Sequence, residues 1–212
     1  MNPDGLLARY IAAHSMPEEG FLQELDRETH LTCVHPRMLS GHIQGKILYL
    51  FCKMIRPKRI LELGTYTAYS AISMGLALDD DAHIDTFEIQ DELEGIITRA
   101  IEKAGLSRCI RCHFGNALER IGELEETYDL VFIDADKREY PEYYEKVFDK
   151  VKPGGYILAD NVLWDGKVID PTEKNDPQTQ GILKFNAIVT NDSRVENVLF
   201  PLFDGMMVIR KK

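Results

Sequence analysis

The sequence predicts an α/β fold on a doubly wound, mostly parallel sheet, and three observations carry that prediction. After Pro57, strand-like apolar runs alternate with helical ones, a pattern that requires right-handed crossovers between parallel strands. Two of these runs, Tyr128-Asp-Leu-Val-Phe-Ile and Gly154-Gly-Tyr-Ile-Leu-Ala, end in acids, Asp134 and Asp160, as strands do when a sheet's carboxyl edge binds a ligand. Near the C-terminus, Asp204-Gly205 stands between two apolar runs, which is a hairpin signal and adds an antiparallel pair.

The elements follow in order. Apolar residues at helical spacing predict helices over residues 4–15, 18–30 and 38–55, an N-terminal helical extension of about 55 residues. The core begins at residue 56 with a strand at Arg59–Leu63. It continues as helix 71–78, strand 84–89, helix 92–104, strand 110–114, helix 117–123, strand 129–133, helix 140–151 and strand 156–159. A polar stretch from Asp165 to Gln180 reads as loop, and a helix is expected near 182–190. Runs 195–203 and 206–210 then close the chain as antiparallel strands, seven in all. At 212 residues the chain is expected to form a single domain, with helices on both faces of the sheet.

Charge narrows the function. With 35 acidic against 25 basic side chains the formal charge is -10, which repels phosphate backbones and argues against nucleic acid as a partner. The N-terminus has no basic region followed by an apolar run, and apolar stretches are too short to span a bilayer, so a soluble cytoplasmic protein with no membrane partner is expected. Cys109-Ile-Arg-Cys112-His113 matches a haem-attachment pattern. It lies in a strand-like stretch with no second C-x-x-C, and the four cysteines read as ordinary reduced thiols.

The acid-tipped strands carry the chemistry. If they are parallel neighbours, Asp134, Asp160 and Asn161 converge at one sheet edge as a set of hard oxygen donors, with Lys137 beside them. On the first strand, Glu62 sits within an apolar run, where a carboxylate needs a partner such as a ligand ammonium. Gly64 directly follows the strand and permits close approach of a ligand; Ser70 opens the next helix, where capping is its plainer role, and Met38 taken alone reads as core. Without G-x-G-x-x-G a dinucleotide is disfavoured, whereas Glu88, about two dozen residues past Gly64, is placed to accept both ribose hydroxyls. A ribose without a pyrophosphate describes S-adenosylmethionine.

Together the segments I-L-E-L-G-T-Y-T-A-Y-S (60–70), F-E-I (87–89), G-N-A (115–117), F-I-D-A-D-K (132–137) and A-D-N-V-L-W-D-G (159–166) resemble the cation-dependent class I O-methyltransferases. That family includes the catechol and caffeoyl-coenzyme A enzymes. The resemblance implies a Rossmann-like methyltransferase fold. It casts Met38, Glu62, Gly64, Tyr66, Ser70, Glu88, Asn116, Ala117 and Asp134 as cofactor-binding residues. Asp134, Asp160 and Asn161 become ligands of Mg2+ or of another divalent ion such as Ca2+ or Mn2+, and Lys137 the general base. The substrate implied is a small aromatic molecule bearing vicinal hydroxyls, with Trp164 and Lys46 as candidate substrate contacts, and the assembly implied is a homodimer. Tyr140 and Tyr144 could wall an aromatic pocket, with helix packing the plainer role. Two departures are visible: Ala68 where the family usually has glycine, and Gln44-Gly45-Lys46 where relatives commonly carry Glu-Gly-Gln. Rival readings are a magnesium-dependent phosphatase-type hydrolase, from Asp134-x-Asp136, and a cofactor-binding protein without turnover.

Overall fold

The computed structural model describes residues 5–169 and 176–212. Its helices are α1 (Leu6–Ala13), α2 (Gly20–Thr32), α3 (Gly41–Ile55), α4 (Tyr69–Gly75), α5 (Glu94–Lys103), α6 (Ala117–Arg120), α7 (Tyr140–Phe148) and α8 (Pro177–Asn191). Its strands are β1 (Arg59–Leu63), β2 (His83–Glu88), β3 (Ile110–Phe114), β4 (Tyr128–Ile133), β5 (Val151–Asp160), β6 (Val195–Phe200) and β7 (Met206–Lys211), and the sheet order is β3-β2-β1-β4-β5-β7-β6. Pairings β2–β3, β1–β4 and β4–β5 are parallel, while β7 runs antiparallel to both β5 and β6. The mostly parallel sheet with its C-terminal hairpin is therefore the predicted one.

Contacts gather the chain into two compact units: β1 through Gly64 together with Asn116–Lys212, and residues 5–58 together with Thr65–Gly115. In the first, the central strands are buried on both faces, with Ile60, Leu61, Leu63, Leu130, Val131, Phe132, Ile133 and Leu158 all at 0 % exposure. Such continuous apolar runs are what a covered parallel sheet demands. Tyr140 and Tyr144 of α7 pack edge to face against Phe185 of α8. In the second unit, α2 buries Leu22 and Leu25, α3 buries Leu48 and Cys52, and α4 is buried along its whole length. No helix among the described residues is long and apolar enough to cross a membrane.

Element boundaries depart from the sequence expectation where Pro, Gly or a cap intervenes. The last strand before the hairpin starts at Val151, five residues early, because Pro153-Gly154 is absorbed at a register shift opposite Tyr128 and Leu130. Helix α7 accordingly stops at Phe148. Helix α8 starts at Pro177, inside the expected loop. Asp176 caps it, accepting from the Thr179 backbone N-H at 3.1 Å, and Pro177 fills the first helical position, where no N-H is needed. The segment before α3 is a separate turn at Pro36–Met38, and β6 ends at Phe200. Residue 4 and residues 170–175 of the expected first helix and polar loop lie outside the described residues.

One packing constraint ties the helices to the chemistry. A Cβ on Gly181 would fall 2.2 Å from the Lys137 carbonyl oxygen and 2.8 Å from the Arg138 Cα, so only glycine lets α8 lie against the turn that carries Lys137. Gly181→Ala is expected to destabilise the protein by about 2–3 kcal/mol, a fall in Tm of roughly 5–10 °C by calorimetry. An unchanged Tm would remove this contact from the folding argument.

Candidate active site

The end of β4 is fixed by backbone before any side chain acts. The Asp134 N-H donates to the Leu63 carbonyl at 2.9 Å, continuing the β1–β4 ladder one step past the strand. This brings the Asp134 carbonyl so close to Gly64 (φ +101°) that a Cβ there would lie 2.1 Å away. Gly64 is thus required by the approach of another strand end, a demand independent of any ligand.

From that fixed point the chain turns, with Asp136 accepting from the Arg138 backbone N-H at 3.0 Å, and returns Lys137 over the strand end. The Lys137 Nζ donates to Asp134 Oδ1 at 2.7 Å and to the Tyr140 hydroxyl at 2.9 Å, and the lysine is buried. Tyr140 in turn donates to the backbone carbonyl of Asp160 at 2.8 Å. Tyr140 is completely buried, and burial pushes its phenol well above the usual tyrosine value. The charges of Asp134, Asp160, Asp204 and Asp136 add to that shift, so the hydroxyl stays protonated and always has a hydrogen to give. Asp136 itself is held below the usual carboxylate range chiefly by the Arg138 guanidinium, to which its side chain bonds.

Asp160 is buried at the end of β5, and Asn161 follows in the left-handed region (φ +59°), which asparagine tolerates better than most residues. The chain beyond is pinned: the Val162 N-H donates to Gly205, the Leu163 N-H to Asp204, and the Asn186 amide donates to the Val162 carbonyl at 2.9 Å. Trp164 and Asp165 are also left-handed, the indole Nε1 is buried with no hydrogen-bond partner among the described residues, and the centre of the Trp164 ring lies 5.9 Å from Lys167 Nζ. Glu62 is fully buried on β1. Asn116 spends its side-chain oxygen capping α6 through the Leu118 N-H at 2.8 Å, and Ala117 is buried behind it.

The carboxylates of Asp134 and Asp160 and the amide oxygen of Asn161 are hard donors, and the negative charge gathered around Tyr140 exceeds the single ammonium of Lys137. A hard divalent cation suits both facts. No group of three or more His, Cys, Asp or Glu side chains among the described residues is arranged to hold a metal ion, and two carboxylates with one amide fall short of such a group.

The second unit holds the remaining sequence candidates. Glu88 is buried at the end of β2, accepting from the backbone N-H groups of Tyr66 at 2.6 Å and Gln90 at 2.9 Å. Burial raises its pKa above the usual carboxylate value, and those backbone donors partly offset the rise. Tyr66 is left-handed and its hydroxyl donates to the His35 carbonyl; Ser70 is buried in the first turn of α4. Met38 is 53 % exposed and so is not core. The ammonium of Lys46 is buried and held by Glu19 at 2.7 Å, which leaves it committed to the protein's own carboxylate. His113 bonds Asp85 at 2.7 Å and stacks on Phe87, none of the four cysteines forms a disulfide, and burial pushes Cys52 up to about 12.

Comparison with known proteins decides the family. The sequence profile of the O-methyltransferase family matches residues 12–212. The chain belongs to that family. It is 34 % identical over 196 residues to caffeoyl-CoA O-methyltransferase 5 of Nicotiana tabacum, covering 85 % of this chain and 81 % of the relative. It is 35 % identical over 172 residues to a catechol O-methyltransferase of Niastella koreensis, 77 % of each chain. Among solved structures, the O-methyltransferase of Bacillus cereus in complex with SAH superposes with a TM-score of 0.90 at 29 % identity over 96 % of both chains. TomG of Streptomyces achromogenes, involved in tomaymycin synthesis and solved with SAM, gives 0.88 at 27 % identity over 96 % of this chain and 95 % of its own.

Sequence reasoning gave Tyr140 to helix packing or the wall of an aromatic pocket and left Asn186 without a role. The spacing held the missing signal for the first, since a tyrosine three residues after a candidate base faces the same side of a helical turn. Removing its hydroxyl should displace the Lys137 ammonium while leaving the ring packing on Phe185. Tyr140→Phe is therefore expected to lower kcat for methyl transfer by about tenfold or more with KM for the methyl donor little changed. Turnover within twofold of wild type would take the hydroxyl out of the site.

Proposed function

We propose that this O-methyltransferase moves the methyl group of S-adenosylmethionine to one hydroxyl of a vicinal dihydroxy aromatic molecule, catechol-like or caffeoyl-like, with a bound divalent cation, Mg2+ in the first instance. The observation that carries the reading is Lys137, buried and aimed by Asp134 and Tyr140 at the end of β4. The bound SAH and SAM of the structural neighbours and the names of the relatives support the donor and the acceptor class.

Methyl transfer from a sulfonium is an in-line displacement, so the acceptor oxygen must be fixed on the axis and relieved of its proton. A free phenol has a pKa of about 10 and is a weak nucleophile at neutral pH. A cation would be held by Asp134, Asp160 and Asn161 and would supply Lewis acidity that favours the phenolate. As the neutral amine, Lys137 takes the phenol's proton on its Nζ and becomes the ammonium, and Asp134 and Tyr140 hold that nitrogen in place. Trp164 offers an apolar wall for the ring. On the donor side, Glu88 accepts from the ribose hydroxyls, Glu62 faces the ammonium of the methionine part, and Met38, Gly64, Tyr66, Ser70, Asn116, Ala117 and Asp134 complete the binding set. The protein acts as a homodimer of single-domain subunits in the cytoplasm. A phosphatase reading leaves Glu62 and Glu88 without work, and a non-catalytic reading leaves Lys137 without work.

Labelled S-adenosylmethionine with a panel of catechols and caffeoyl esters, with and without a chelator, tests the reaction; turnover that survives full metal removal would sink the mechanism. Asp160→Ala should abolish turnover while affinity for S-adenosylhomocysteine stays within a few-fold of wild type, and an active variant would remove Asp160 from the cation set.

The raised pKa of Glu88 gives a second test. Ribose hydroxyls donate to an ionised carboxylate, so affinity for S-adenosylhomocysteine should fall as pH drops through a range above 4.5, where the buried acid takes up its proton. Calorimetric titration of Glu88→Gln should show weaker binding with that pH dependence gone; an identical profile in the variant would assign the titration elsewhere.

A further inference from the structure

The segment joining β1 to α4 carries two strained residues on either side of Thr67: Tyr66 at φ +49° and Ala68 at φ +70°, both outside the region that L side chains favour. Ala68 is fully buried in this left-handed shape, so the chain keeps a conformation that its own residue opposes. Such a shape persists only when the surroundings over-determine it.

The surroundings that do so come from β2 and from the N-terminal helices. The Thr65 N-H donates to Phe87 and the Tyr66 N-H to Glu88, which fixes the first half of the loop. The second half is held from the N-terminal segment. Thr29 donates its hydroxyl to the Thr67 hydroxyl at 3.2 Å, with both side chains at 0 % exposure, and Tyr69 donates to the Glu18 carboxylate. Tyr66 adds a bond to the His35 carbonyl at 3.0 Å. Thr29 is the telling member. A threonine within a helix often returns its hydroxyl to the carbonyl four residues back, whereas Thr29 sends it out of α2 to the loop. Leu22 and Leu25, seven and four residues before it and so on the same face, are buried and set the helix against that side.

We propose that Thr29 is a positioning residue for the donor-binding loop: through Thr67 it holds the Tyr66–Ala68 turn in its strained shape, so that α2 and affinity for S-adenosylmethionine are coupled. The proposal rests on the cofactor reading given above. It makes the N-terminal helices part of the donor-binding apparatus, although none of their residues need touch the donor. Ala68 supplies the diagnostic partner, because glycine at that position adopts the left-handed shape without strain and needs less holding.

The test uses the full chain as wild type, Thr29→Val, Thr29→Ser, Thr67→Val, Ala68→Gly and the Thr29→Val/Ala68→Gly double variant. Two quantities are read: hydrogen exchange at the amides of residues 65–69, and the Kd for S-adenosylhomocysteine by calorimetry. Thr29→Val and Thr67→Val should speed exchange at those amides and weaken binding by about tenfold, the worth of one buried hydrogen bond. Thr29→Ser should match wild type, and adding Ala68→Gly to Thr29→Val should recover most of the affinity. Unchanged exchange at 65–69 in both valine variants overturns the proposal. So does an affinity loss that neither serine nor the glycine partner recovers, since that marks general destabilisation. If the wild type itself fails to bind S-adenosylhomocysteine, the cofactor reading falls, and the exchange data still decide whether α2 holds the loop.

Discussion

A buried ammonium cannot be left without partners, and Lys137 is the constraint from which the first unit is best understood. Its nitrogen needs oxygen acceptors, and the fold provides two of different kinds, a carboxylate on the strand end and a phenol on the following helix. The phenol accepts from lysine because its own hydrogen is already given to the Asp160 carbonyl. Lys137, β4 and β5 are thereby joined through a single hydroxyl. Gly181 extends the dependence to α8, which must approach the Lys137 turn without a side chain, and Asn186 on the same helix holds the Val162 carbonyl just after Asn161. The C-terminal helix and hairpin thus set the geometry at the ends of strands that precede them in the chain.

Strain is concentrated where the strands hand over to loops. Asn161, Trp164 and Asp165 after β5, and Tyr66 and Ala68 after β1, are non-glycine residues with positive φ. Each group is matched by a set of hydrogen bonds from elsewhere in its own unit: the Asp204–Gly205 turn and Asn186 for the first, β2 and the N-terminal segment for the second. Strain held in this way is a form of preorganisation, since a loop that is over-determined before ligand arrives has less entropy to lose when it does.

The mostly parallel sheet, its C-terminal hairpin and the acid-tipped strands were legible because they depend on local rules. Continuous apolar runs such as Leu130–Ile133 can only be covered parallel strands, and Asp204-Gly205 flanked by apolar residues can hardly be other than a hairpin. The start of β5 was not legible, because Pro153-Gly154 ordinarily ends a strand and here forms part of a register shift visible only beside β4. Helix α8 announced itself through Asp176-Pro177, a cap followed by a first-turn proline, yet the same residue types also describe a polar loop. At the site, residue types gave the acids and the lysine. The role of Thr29 came only with geometry, since a threonine on a helix carries no distinguishing pattern until its hydroxyl is seen to leave its own element, and the spacing of Tyr140 from Lys137 gained its meaning in the same way.

The two departures from the family pattern prove to be similar in kind. Lys46 introduces a cation into α3 at a position that is 8 % exposed, and an isolated ammonium there would cost several kcal/mol. Glu19 answers it with both carboxylate oxygens at 2.7 and 2.8 Å, while His42, on the same helix, bonds the Met16 carbonyl in the segment leading to Glu19. Ala68 introduces strain into the β1 loop, and Thr29, Glu18 and His35 answer it from that same N-terminal region. In both cases the unusual residue lies in a helix or loop of the second unit, and its compensation comes from residues 16–35. A segment that reads in the sequence as an appendage to the sheet is therefore the part of the chain that makes this particular core sequence workable.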